Sequence, residues 1–211
     1  MSKIELRERT YQAGGVTYEQ SLIATQLVPS LYERLGRESG IEELSTLFYD
    51  RVFSDERQWF VSIFASSTKA EAIDNQYRFF VQTFGGPDLY RQKGKGRFVR
   101  LSGRHANYPI THMAADRWWV HMDNAIDDFF KTEHPKLNPP VQTTPQYEDR
   151  DLLECDSDNN EQDSHDIMLT ETKDAMRAYF RYTAHYIVVS SEYMRDDQLS
   201  GGTQIDAGRV W

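Results

Sequence analysis

The chain reads as all-α, on three grounds. Apolar side chains recur at helical spacing in successive stretches, as at Ile41, Leu44, Phe48 and Val52. Ser or Thr stands three residues before Glu at Ser30, Ser39 and Thr68, a pattern in which side chains satisfy the free N–H groups of a first helical turn. No stretch alternates apolar and polar residues over the length that a half-buried strand requires.

Taken in order, residues 1–29 read as a polar N-terminal extension with a short helix around Tyr18 to Leu27. Ser30 opens a first short helix, punctuated by Gly36 and Gly40, and Ser39 opens a second that carries the Ile41 to Val52 stripe. Thr68 opens a third, bearing Ala72, Gln76, Phe79, Phe80 and Phe84. It stops at Gly85-Gly86-Pro87, because glycine accepts a left-handed cap and proline cannot continue a helix. From Asp88 to Gly103 the chain is basic and glycine-rich without a sustained period, which predicts a long loop. Thr111 then caps a helix with Ala114, Trp118, Met122, Ala125, Ile126 and Phe129 on one face. A last helix, from about Leu169 to Met194, turns Met176, Tyr179, Phe180, Ala184, Ile187 and Val188 inward.

Between the last two helices lies a segment, 131–167, unlike the rest. Its first half holds Pro135, Pro139, Pro140 and Pro145, and the stretch from Tyr147 to Asp166 has nine acids against the single base Arg150. Proline, like charge and few apolar groups predict an extended or disordered insert. The domain organisation that follows is an extension over 1–29, one helical domain over 30–196 containing the acidic insert, and a tail over 197–211.

Composition excludes several classes. At 211 residues the chain suits one ordinary domain with extensions. Hydrophobic residues make up 39% and mean hydropathy is −0.69, so sizeable segments are solvated and none is an apolar run long enough to cross a membrane. The net charge of −9 disfavours nonspecific nucleic-acid binding. The first nine residues mix acids and bases, unlike a secretory signal or a transit peptide. One cysteine, Cys155, permits no internal disulfide and fits a reducing compartment, so a cytoplasmic protein is expected. Composition is silent on the oligomeric state.

The chemistry gathers around His105, which follows Arg97-Phe98-Val99-Arg100-Leu101-Ser102-Gly103-Arg104. Alone, such a histidine reads more readily as a surface-loop residue. Its company points elsewhere. Phe48-Tyr49, then Gln76 with Phe79 and Phe80, then Trp118 supply aromatic surface and three hydrogen-bonding groups. A single imidazole facing such a pocket is the ligand set of haem iron. Gln76 on an apolar helix face needs a partner, whether a neighbour or a bound ligand. Tyr49 and Trp118 read otherwise as core aromatics.

These residues resemble, in this order, the truncated haemoglobins of group II, and within that group the plant and algal members. The resemblance covers 31–130 and resumes over 170–194. It is carried by Phe84-Gly85-Gly86-Pro87-Asp88-Leu89-Tyr90, by Arg104-His105, and by Pro109-Ile110-Thr111 followed by Trp118. It implies a truncated globin, a two-over-two helical sandwich, holding haem b with His105 as the iron ligand. It further implies Tyr49, Gln76 and Trp118 as the groups facing a bound ligand, with Ala72 where larger globins carry a distal histidine. Phe64 matches the aromatic that wedges against the porphyrin, and Phe79 joins it. Arg104 and Tyr90 fall to the haem propionates. The stretch between Tyr90 and His105 departs from the family pattern: it is longer, and reads Gly94-Lys95-Gly96 where the family carries His-Pro.

The function so implied is reversible binding of dioxygen, and of nitric oxide and carbon monoxide, with high affinity and slow release. The alternative is redox turnover of nitric oxide or nitrite with an external reductase, since the chain shows no reductase segment of its own. A peroxidase would ordinarily show a distal acid–base histidine, and none stands near Tyr49 or Gln76. A third reading is a helical interaction module without haem.

Overall fold

The computed structural model describes residues 2–95, 103, 105, 108, 110–131 and 158–199. No strand occurs among them. The helices are α1 (Lys3–Gly14), α2 (Tyr18–Leu22, running into a 3-10 turn at Ile23–Thr25), α3 (Leu31–Arg34) and α4 (Arg37–Phe53). There follow α5 (Gln58–Val61, with a 3-10 turn at Ser62–Phe64), α6 (Lys69–Thr83), α7 (His112–Lys131) and α8 (Asp158–Leu199).

Two of the three expected capping boxes form. The Ser30 hydroxyl accepts from the Glu33 N–H at 3.4 Å, and that of Thr68 accepts from the Glu71 N–H at 3.2 Å, with each glutamate reaching back to the cap. The box expected at Ser39 does not form. Gly36 turns the chain at φ 80°, so α4 starts at Arg37, and Ser39 already lies inside it, donating to the Gly36 carbonyl at 3.1 Å. At the other end of the site, α6 stops as expected, with Gly85 at φ 96°, in the left-handed region that favours glycine.

Two helix pairs, α4 with α6 and α7 with α8, are stacked with α4 lying on α7. Leu44, Phe48, Val52, Met122, Ile126, Phe129, Met176 and Phe180 fill the space between them, all essentially inaccessible to solvent. Each such side chain contributes roughly 1.5–3 kcal/mol of burial. Phe80 of α6 meets Phe180 of α8 at 4.9 Å between centroids, and Phe84 packs edge-on against Tyr179 at 5.2 Å. The start of α4 is pressed so closely on α3 that a Cβ at Gly40 would lie 1.6 Å from the Leu35 carbonyl oxygen.

The N-terminal segment holds the short helix expected from Tyr18, as α2, and also a helix that was not expected, α1. It forms α1 and α2, both packed on α8, with Leu6, Tyr182, Tyr186 and Val189 making a second small core and Arg7 stacked over Tyr18 at 3.5 Å. The buried residues of α1 are Leu6, Thr10 and Gly14, a stripe at helical spacing that carries only one large apolar side chain. Hydrophobic periodicity does not register such a stripe. Likewise α8 begins at Asp158, so the last ten residues of the expected insert are helical. Residues 132–157, with the prolines and Cys155, and the tail from residue 200 lie outside the described residues.

Candidate cofactor pocket

A cavity of about 450 Å³ lies among α4, α6, α7 and α8, a volume within the range of small-molecule and cofactor sites. Its wall is largely apolar and aromatic. From α4 comes Tyr49, its ring 4.9 Å from Phe48 and edge-on to Phe64 at 6.1 Å and 81°. Burial pushes the Tyr49 phenol well above its ordinary range, so it is a neutral O–H group at physiological pH.

Helix α6 contributes Ala72, Gln76, Phe79 and Phe80, four residues that its 3.6-residue period brings to one side. Gln76 Oε1 is buried and has no hydrogen-bond partner among the described residues. A buried amide left so costs stability unless something in the cavity completes it, and turning the amide presents either its oxygen or its N–H₂ group. Tyr90 stands edge-on to Phe79 at 5.4 Å and 77°, and also lines the cavity. From α7, Trp118 packs between Phe48 at 4.9 Å and Phe180 at 6.1 Å.

His105 lines the same cavity, half-buried, with its carbonyl accepting from the Tyr108 N–H at 3.0 Å. The long loop expected before it is partly helical: Arg91–Lys95 makes a π-helical turn, and the backbone at Gly103 and His105 is helical. Arg104 lies outside the described residues. Every other residue that the sequence singled out, Tyr49, Phe64, Ala72, Gln76, Phe79, Tyr90, His105 and Trp118, therefore meets at one cavity.

Sequence reasoning missed the contribution of α8. Tyr179, Phe180, Thr183, Ala184 and Ile187 form a wall of the pocket, and Thr183 Oγ1 is a second buried polar atom there. The signal was present, since Thr183 follows Tyr179 by four positions on the inward stripe, but that stripe reads as plain core.

A larger hollow of about 820 Å³ is lined by Arg51, Asp55, Arg117, His121 and Asp128 among others. Several of its charges are paired within it. Asp55 accepts from Arg117 Nε at 2.6 Å and from the Arg57 N–H at 2.9 Å, and lies 2.5 Å from His121 Nε2, while Arg51 pairs with Asp128. The His121 ring packs on Phe60 at 5.5 Å, so this cluster braces the outer side of the first pocket's wall.

Stacked helix pairs around an aromatic pocket with one histidine at its edge define a globin, and the chain belongs to the bacterial-like globin family, whose pattern matches residues 30–139. Within it, the relatives are truncated haemoglobins of the second group. The chain is 54% identical over 99 residues to two-on-two hemoglobin-3 of Arabidopsis thaliana, covering 47% of this chain and 55% of that one. It is 51% identical over 98 residues to group 2 truncated hemoglobin 3-1 of Lotus japonicus, covering 46% and 56%. It is 35% identical over 96 residues to group 2 truncated hemoglobin YjbI of Bacillus subtilis, covering 46% and 68%. The chain thus spans about half the length of the plant relatives it matches. Membership of the family implies a haem cofactor and binding of small gaseous ligands. Among the described residues no helix is long and apolar enough to cross a membrane.

Proposed function

We propose that this protein holds haem b in the 450 Å³ cavity and binds dioxygen there, with nitric oxide and carbon monoxide as further ligands. The observation that carries the reading is the buried amide oxygen of Gln76, without a hydrogen-bond partner among the described residues, in an aromatic-walled cavity that His105 also lines. Haem iron would supply an open coordination position for a diatomic ligand. The rest belongs to the chain. His105 is the iron ligand, held by a segment whose backbone carbonyl is tied to Tyr108. Phe64 and Phe79 offer flat apolar surface to the porphyrin, and Arg104 and Tyr90 take the propionates by charge-assisted and neutral hydrogen bonds.

Tyr49, Gln76 and Trp118 are the donors to a polarised ligand, and Ala72 leaves room beside them. At about 1 kcal/mol each, every donor slows ligand release by roughly fivefold. Three together favour tight binding and slow exchange, which suits scavenging or sensing better than bulk delivery.

The test is the absorption spectrum of the purified chain in the ferric, dithionite-reduced and carbon monoxide forms, with His105→Ala beside it. A Soret band that shifts with carbon monoxide, and is lost in the variant, is expected. No haem uptake by the wild-type chain, or an unaltered spectrum in His105→Ala, would overturn the assignment.

A further inference from the structure

The rim of the pocket carries a bond between two side chains that ligand binding does not use. Ser66 Oγ and Tyr108 Oη stand 3.1 Å apart, 42 positions separated in sequence, and both residues line the cavity. Both side chains are exposed, so the bond spans the solvent edge of the pocket and not its floor.

Each partner is tied by backbone to a residue facing the cavity. Ser66 lies just ahead of α6, and its neighbour Ser67 donates its N–H to the Phe64 carbonyl at 3.1 Å. Tyr108 donates its N–H to the His105 carbonyl at 3.0 Å and accepts at its own carbonyl from the Ile110 N–H at 2.8 Å. A continuous line of bonds therefore runs from the Phe64 wall, through Ser66 and Tyr108, to the carbonyl of His105.

We propose that the Ser66–Tyr108 pair is a clasp across the mouth of the haem pocket, holding the His105 segment to the wall that carries Phe64 and slowing escape of the cofactor. The proposal rests on the assignment of the cavity as a haem site. A planar group that leaves through this edge must part the two hydroxyls, whereas a diatomic ligand needs no such opening. Ser66 and Tyr108 are thus positioning residues for haem retention, and neither belongs to the donors of the ligand pocket. Water competes for an exposed bond, so its effect is modest, about two- to fivefold in rate.

The experiment loads the full chain with hemin, verifies the Soret band, and follows haem transfer to excess apomyoglobin in wild type, Ser66→Ala, Tyr108→Phe and the double variant. Each single change should raise the transfer rate about two- to fivefold, and the double should exceed neither, because both remove one shared bond. Dioxygen release and the urea midpoint should stay at wild-type values. Unchanged transfer rates would overturn the clasp. So would rates that multiply in the double variant, which would mean that each hydroxyl acts alone, for example on a propionate. A parallel fall in the urea midpoint would reassign the effect to general stability. Failure of the wild-type chain to take up haem is a separate result, and it removes the cofactor reading and the clasp together.

Discussion

Arg34 donates to Glu171 at 2.6 Å, and that bond joins the short helix before α4 to the first half of α8. The Arg34 side chain is only 5% exposed, and it also donates to the Pro29 and Val28 carbonyls and the Thr172 hydroxyl. One guanidinium thus holds the turn ahead of the globin core against the helix that closes it. Replacing it removes all four bonds, the one to the Thr172 hydroxyl buried and the others partly so, and Arg34→Met should lower stability by about 2–3 kcal/mol in urea unfolding. Glu171 is half exposed, and Glu171→Gln should cost under about 1 kcal/mol. Equal losses in the two variants would contradict this division.

Stability should fall with acid in two stages. His185 is buried on α8, and burial holds its imidazole below the ordinary histidine range, with Asp116, His112 and Arg181 as its charged neighbours. The folded state keeps it neutral while the unfolded chain takes a proton below about pH 6.5, so stability drops as pH falls through that point. Arg117 holds the Asp55 carboxyl well below the usual carboxylate range, and that contribution is full above about pH 4 and lost below it. Urea midpoints measured from pH 8 to pH 3 should show both steps, His185→Leu reducing the first, to which His121, also held low by burial, contributes, and Asp55→Asn reducing the second. A His185→Leu profile that still declines like wild type between pH 6.5 and pH 5 would discard the first.

Dioxygen release reports directly on the proposed donors. Tyr49→Phe and Gln76→Leu should each speed release about five- to tenfold in stopped-flow, with the Soret maximum of the ferrous–carbon monoxide form little moved. Because the two side chains line one cavity, their effects should combine non-additively in the double variant. Release rates that match wild type in both variants would take Tyr49 and Gln76 out of the ligand pocket.

Gly40 tests the crossing of α3 on α4. A Cβ there would sit 1.6 Å from the Leu35 carbonyl oxygen, a backbone atom that cannot swing away. Gly40→Ala should therefore destabilise by about 2 kcal/mol or more despite alanine's higher helix propensity. A variant as stable as wild type would show that this crossing relaxes.

Wide apolar stripes were legible in the sequence, because α4, α6 and α7 each bury large side chains at helical spacing, and α6 and α7 start on recognisable caps at Thr68 and Thr111. The pocket was legible for the same reason. Tyr49, Gln76 and Trp118 are polar or amphipathic groups placed on or beside those stripes, and His105 sits in a distinctive run. What escaped has a physical cause in each case. Helix α1 buries Leu6, Thr10 and Gly14, too little apolar surface to mark a face. The start of α8 is rich in acids and poor in apolar residues, so in sequence it reads as a continuation of the insert. Ser39 matches a capping pattern that Gly36 makes redundant by turning the chain one position before Arg37. Thr183 stays hidden because a threonine on an inward stripe gives no sign of whether a cavity or a neighbour lies beyond it.

The seating of α1 on α8 also orders events in time. Leu6 packs against Tyr182 and Tyr186, residues far along the chain, so the two ends of this span must come together before the contact forms. Contacts so distant in sequence carry the largest closure entropy and form late. The haem-binding core, built from α4 to α8, can assemble before them. In the finished molecule α1 and α2 are then the part that opens first, exchanging their amide hydrogens while the core around Phe48 and Phe180 still holds.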